Sequence, residues 1–295
     1  MPDTLTDNDW TLLLEKIRDD KCTPFLGAGT CSGLIPLGGD LARQWAKESD
    51  FPFDDKSDLA RVAQFISIKM KDTTVPKTKL AKMIKNVAPP DFNILHEPHS
   101  VIADLPLSVF MTTNYDSYLT KALEHRNKSP TRVICRWNSS LEIQEYLAKL
   151  KPEQKSTPTP QKPMVFHLHG ISDIVDSMVL SEDDYLDFLI NISKDQKALP
   201  PRIQRAFSGN SLLFVGYRIA DWDFRVLFRS LVTYLERSIS HLHISVQLPP
   251  EDIVSQETLD EYFAISNIRV YWGTCEAFVG DLSRRWEAFR RQENG

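Results

Sequence analysis

The feature that most constrains this chain is an alternation. Short apolar runs, each closed by small or polar residues, are separated by stretches with helical periodicity. The runs are CTPFL (22–26), LSVFMTT (107–113), TRVICRW (131–137), MVFHLHG (164–170), NSLLFVG (210–216), HLHISVQL (241–248) and IRVYWG (268–273). Strands joined through helices cannot pair as tight hairpins. They pair in parallel, and the helices cross over on both faces of the sheet. The sequence therefore predicts an α/β fold with a Rossmann-like parallel sheet. NSLLFVG reads as the most clearly buried strand. Pro24 lacks an N–H for a sheet ladder, so the first run is expected near an edge or a strand start.

The helical stretches begin with one presenting Trp10, Leu13, Leu14 and Ile17 on a single face, capped by Asp7 or Asn8. LARQWAKES follows, capped by Asp40. Residues 56–104 read as helices punctuated by Pro76, Pro89, Pro90 and Pro98. Further helices are expected in SEDDYLDFLINISKDQKALPPRIQRAFSG, in DWDFRVLFRSLVTYLERS, after Pro250 and at the C-terminus. KPEQKSTPTPQKP (151–163) reads as an exposed loop. This predicts one domain over 1–295, with a Rossmann-like core at about 20–48, 105–173 and 209–295. A helical insert occupies about 49–104 and 174–208.

With 42% hydrophobic and 25% charged residues, the composition is that of a soluble globular protein. A net charge of −5 gives no electrostatic basis for direct nucleic-acid binding. No apolar run approaches the ~20 residues of a membrane helix, and the N-terminus lacks an apolar signal core, so a cytoplasmic location is expected. Four cysteines without a C-x-x-C pair and seven histidines without ligand spacing lead us to expect no metal.

In parallel sheets ligands lie at the carboxyl ends of the strands, near the point where strand order reverses. Gly27-Ala28-Gly29-Thr30 closes the first run. Its third glycine, Gly33, comes one residue later than in G-x-G-x-x-G, so the loop is either a phosphate cradle of another kind or a tight turn. Thr112-Thr113-Asn114-Tyr115-Asp116 closes the second run, and Asn114 or Asp116 could equally be a helix cap. His169 precedes Gly170, while His167 is taken to face the other way. Gly216-Tyr217 and Gly273-Thr274-Cys275 close two later runs. His96, His99, His125, His241 and His243 read as packing residues.

Taken in order, GAG…GLIP, TTNYD, HLHG, LLFVGYRIADWDF and WGTCEAFVGDL resemble the sirtuin superfamily, and most of all its bacterial branch of sirtuin-like defence effectors. The pattern spans roughly residues 20–290. The resemblance implies that Gly27, Ala28, Gly29 and Thr30 hold the NAD pyrophosphate, with Ser32 and Pro36 nearby. It implies that Asn114 and Asp116 position the nicotinamide ribose and a water, and that His169 is the catalytic histidine. Gly216 and Tyr217 would line the adenosine side, with Asp221 in the branch's own G-x-x-x-x-D-W stretch. Gly273, Thr274 and Cys275 would approach the adenine.

Two departures matter. The chain cannot build the four-cysteine zinc ribbon of sirtuin deacylases, and helices stand in its place. The deacylases' G-I-P-D-F-R becomes Leu34-Ile35-Pro36 followed by Leu37-Gly38-Gly39. The resemblance therefore implies NAD as a consumed substrate, cleaved to nicotinamide and ADP-ribose to deplete NAD in antiphage, abortive-infection defence. Alternatives are an NAD-dependent deacylase or ADP-ribosyltransferase, and a non-catalytic NAD or ADP-ribose sensor. An unrestrained NAD hydrolase would kill its own cell. Homo-oligomerisation or a separately encoded partner, such as a HerA-type ATPase, is the expected control.

Overall fold

A computed structural model describes residues 5–150, 157–194, 199–217, 242–249, 253–264 and 267–293. Seven strands form one sheet: β1 (Cys22–Leu26), β2 (Val109–Thr112), β3 (Thr131–Ile134), β4 (Met164–His167), β5 (Ser211–Val215), β6 (His243–Gln247) and β7 (Ile268–Trp272). Their order is β3-β4-β2-β1-β5-β6-β7, and every pairing is parallel. From β1 the chain builds one half of the sheet through β2, β3 and β4, then returns to build the other half from β5. Strand order thus reverses between β1 and β5. The helix expected over DWDFRVLFRSLVTYLERS lies outside the described residues, as does Asp221.

The position of β1 corrects the expectation drawn from Pro24, because β1 is the central strand. Its ladder with β5 runs from Cys22 to Leu26, whereas its ladder with β2 begins only at Phe25. Pro24 therefore precedes the two-sided part of the strand, where a missing N–H breaks no second ladder.

Helices cover both faces. α1 (Asp7–Arg18), α5 (Pro98–Asp104), α6 (Tyr118–His125) and α11 (Cys275–Glu293) enclose a core with Leu26, Phe110, Leu213 and Val215. On the opposite face, α8 (Glu182–Lys194), α9 (Pro201–Gly209) and α10 (Ile253–Ala264) pack against Phe25, Met111, Leu212 and Phe214. Neighbours such as Phe25 and Leu26 thus go to opposite cores, as the two-residue strand period requires. α7 (Leu141–Lys149), unforeseen in the sequence, buries Ile143 beside Ile134 and Ile171.

A third core forms away from the sheet. Trp45 of α2 (Gly38–Glu48), Val62 and Ala63 of α3 (Leu59–Met70), and Leu80 and Ile84 of α4 (Thr74–Lys85) pack with Met178 and Leu180. This small bundle overhangs the carboxyl end of β1. Lys77 of α4 ties it to α8 by a buried ion pair with Asp184, Nζ to Oδ1 2.6 Å.

Two caps differ from expectation. Thr6, not Asp7 or Asn8, caps α1 in a reciprocal pair with Asp9. α2 begins at Gly38, with Leu37 at the cap position, so Asp40 lies in its first turn and pairs with Arg43.

Candidate functional site

The loops that follow β1 and β5 cross at the reversal point. Gly27 N–H donates to Val215 O at 2.9 Å, and Gly29 N–H donates to Gly216 O at 2.8 Å. A Cβ on Gly27 would stand 2.7 Å from Gly216 O, and one on Gly29 would stand 2.8 Å from Gly216 Cα. Gly216 itself has φ +83°, and a Cβ there would lie 2.6 Å from Thr30 N. The glycines at 27, 29 and 216 are thus required by the crossing of two backbones. Thr30 N–H donates to Gly27 O, and Ser32 N–H to Gly29 O. Three amides of the loop expected to take a pyrophosphate, and that of nearby Ser32, are therefore already committed to the chain's own carbonyls.

Beside the crossing lies a cavity of about 220 Å³. One side carries Ala28, Asn114, Asp116, His169, Gly216 and Tyr217. The other is an apolar wall from the overhanging bundle, including Ile35, Leu41, Leu59, Leu80, Ile84 and Leu180. Pro36 lines the rim. The volume falls below the roughly 300–1,000 Å³ of ordinary small-molecule sites, so the cavity is too small to enclose a whole dinucleotide. Ser32 is exposed outside it. Thr274 caps α11 by accepting from Ala277 N–H, and Gly273 N–H donates to Gln247 O. Of that trio only Cys275 reaches the crossing, where its sulfur accepts from Gly216 N–H and burial pushes its thiol up to about 12.

The short β2 delivers Asn114 and Asp116. Asn114 N–H donates to Thr112 Oγ1, which turns the chain out of the strand. Its side-chain amide donates to Gly27 O at 3.1 Å and lies 3.3 Å from Thr30 Oγ1 and 3.4 Å from Cys31 Sγ. Asn114 therefore clamps the glycine loop by its nitrogen, leaving its oxygen for the cavity. Asp116 accepts from Tyr118 N–H at 2.8 Å through Oδ1, so it also serves as the cap the sequence allowed. Its Oδ2 lies 3.4 Å from Cys31 Sγ.

His169 is 4% exposed and packs edge-on against Tyr185 and Phe188. Its Nε2 is buried and makes no hydrogen bond. Burial without a counter-charge lowers its pKa from 6.5 to about 3, so the ring is neutral at pH 7. As the histidine that the resemblance makes catalytic, His169 is therefore a weak base in this fold. His167 does not turn away from the site. Its Nδ1 lies 3.0 Å from Asn114 O, bracing the loop from below. Residues two apart share a strand face. What separates these two is the end of β4 at His167 and the turn through Gly170, at φ +81°.

Several neighbours carried no signal in the sequence. Cys31 and Tyr115 line the cavity, and Tyr115 Oη donates to Val179 O. His99, read as a packing residue, has its Nε2 3.9 Å from Cys31 Sγ and its Nδ1 2.7 Å from Glu97 Oε1. Cys31, His99 and Asp116 offer three ligand atoms within 4.8 Å of one another. Their wide separation along the chain hid the group.

The family model described as a SIR2-like domain matches residues 108–271, more than half of the chain. A protein named NAD(+) hydrolase ThsA from Bacillus cereus (strain MSX-D12) is 26% identical over 271 residues, which are 92% of this chain and 50% of that protein. One of the same name from Cytobacillus dafuensis is 25% identical over 212 residues, 71% of this chain and 38% of the relative. The chain thus spans half or less of these relatives' lengths. A solved chain from work on the mechanism and regulation of Sir2 enzymes aligns with a TM-score of 0.46 at 12% identity, covering 97% of this chain and 100% of that one.

Proposed function

The chain belongs to the SIR2-like domain family, and on that premise we propose that it is an NAD hydrolase. It cleaves the nicotinamide–ribose bond to release nicotinamide and ADP-ribose. One observation carries this reading most: a buried, unpartnered His169 Nε2 lines the same small cavity as Asn114 and Asp116. An unmet buried polar atom is costly and calls for a partner from outside the chain. A ribose hydroxyl or a water is such a partner.

The cavity's apolar wall would exclude bulk water and take the flat nicotinamide ring. As the glycosidic bond breaks, its electron pair returns to the pyridine nitrogen, which leaves neutral. The positive charge that develops on the ribose faces the Asp116 carboxylate. One water adds to the anomeric carbon and gives up a proton. Asn114 Oδ1 would orient that water, and the neutral His169 Nε2 would accept the proton before passing it to solvent. Gly216, Tyr217 and the Gly27–Thr30 loop would border the rest of the dinucleotide. Phosphate contact through Gly29 N–H would require its bond to Gly216 O to open.

The weak basicity of His169 favours one rival, a module that binds NAD or ADP-ribose without cleaving it. Chromatography of NAD after incubation with the protein separates the two. Nicotinamide and ADP-ribose in equal amounts support hydrolysis. Intact NAD together with calorimetric binding supports the module. We further propose that NAD depletion serves antiphage defence and is gated by self-association or triggered by a partner such as a HerA-type ATPase.

A further inference from the structure

Cys31, His99 and Asp116 come from three separate places: the glycine loop, α5 and the turn after β2. All three are more than nine-tenths buried. Cys31 Sγ lies 3.4 Å from Asp116 Oδ2 and 3.9 Å from His99 Nε2. In a tetrahedral zinc site, bonds of ~2.3 Å to sulfur and ~2.0 Å to nitrogen or oxygen place ligand atoms roughly 3.3–3.8 Å apart. The two separations from the sulfur match such a site to within about half an ångström, and all three atoms lie within 4.8 Å of one another.

Two of the three candidate ligands are also fixed from behind. His99 Nδ1 is held by Glu97 Oε1 at 2.7 Å, which makes Nε2 the free lone pair. This carboxylate–histidine support is the usual second layer of a metal site. Glu97 in turn accepts from the backbone N–H groups of His99 and Ser100. Asp116 is anchored through Oδ1 by Tyr118 N–H, which leaves Oδ2 toward the sulfur. Among the described residues, neither Glu97 nor Asp116 pairs with a lysine or arginine.

We propose that Cys31, His99 and Asp116 bind a zinc-class divalent ion. Three mixed N, S and O ligands suit zinc or cobalt rather than magnesium or calcium. Cys31 and Asp116 also line the cavity, so the fourth position opens onto it. On binding, the Cys31 S–H proton is released to solvent and the sulfur–metal bond replaces the S–H contact to Asp116. A bound ion would occupy Asp116 Oδ2 and so exclude the charge-stabilising role proposed for that carboxylate; ion binding itself does not depend on NAD cleavage, so the test contains no NAD.

Cobalt(II) chloride is titrated into the reduced, metal-stripped full chain while near-ultraviolet thiolate-to-cobalt absorption and tetrahedral visible bands are followed. The expected result is one cobalt per chain, displaced by zinc, with release of about one proton. Cys31→Ser should abolish the thiolate band. Glu97→Gln should weaken binding ~10–100-fold, as loss of a supporting carboxylate does elsewhere. No thiolate band in the wild type would overturn the proposal, as would a band that survives Cys31→Ser. If Cys31→Ser does not fold, unchanged affinity in Glu97→Gln would overturn it.

Discussion

At the scale of single residues, Asn114 and His169 do different work, and substitutions should separate them. Asn114→Ala removes the clamp on Gly27 O as well as the cavity-facing oxygen. His169→Ala removes only the unpartnered nitrogen and some packing on Tyr185 and Phe188. Both should lower NAD turnover by ~100-fold or more. Near-normal product formation by both would remove them from the mechanism. The histidines also set a pH dependence. His167 and His169 are neutral in the fold, each with its pKa lowered from 6.5 to about 3, first by burial. Below pH 6.5 the unfolded chain takes up protons that the folded chain refuses. Stability is therefore full above about 6.5 and lost as pH falls toward about 3. Melting curves over that window should show the loss, and His167→Asn should flatten part of it. An unchanged profile in His167→Asn would mean that other groups control acid unfolding.

At the scale of elements, the bundle of α2, α3 and α4 decides the shape of the site, because it supplies the apolar wall. Its buried tie to α8 is the pair Lys77–Asp184, whose side chains are only 8% and 11% exposed, beside the exposed Gln64–Asp183 hydrogen bonds. Asp184 also accepts from the backbone N–H groups of Leu180 and Ser181. Lys77→Met leaves that carboxylate buried without its cation. Chemical denaturation should report a loss of about 3–5 kcal/mol, the usual cost of breaking one side of a buried pair. Retained stability would show that the N–H groups alone satisfy Asp184. This tie was not legible in the sequence, where lysines and acids abound and nothing distinguishes these two. The strands and most helices were legible, because apolar spacing alone announces them. Caps were less so: Thr6 and Asp9 outcompeted Asp7 and Asn8 through a reciprocal bond that depends on the local turn.

At the scale of the whole molecule, the two halves of the sheet meet where the β1 and β5 loops cross. The left-handed conformation of Gly216 and its contact with Thr30 N leave no room for a side chain. Gly216→Ala should separate the loops and weaken NAD binding at least ~10-fold while the sheet persists. Calorimetry paired with circular dichroism checks this, and undiminished affinity would mean the crossing is not needed for the ligand. Gly29→Val meets the same backbone from the other side and should behave alike. Among the described residues no helix is long and apolar enough to cross a membrane.

The sequence by itself determined the parallel α/β class, the run of strands and the gathering of candidate residues at strand ends. These follow from periodicities of two and 3.6 residues and from the geometry of crossover connections. Tertiary structure alone decided that a proline-bearing strand sits at the centre and that the Gly27 and Gly29 amides are spent on the end of β5 and the loop after it. It also decided that His169 is neutral, and that Cys31 and His99 join Asp116. Each of these depends on which distant segment lies alongside. Strand order, desolvation and side-chain convergence are properties of contacts between residues far apart in the chain, and no local pattern encodes them.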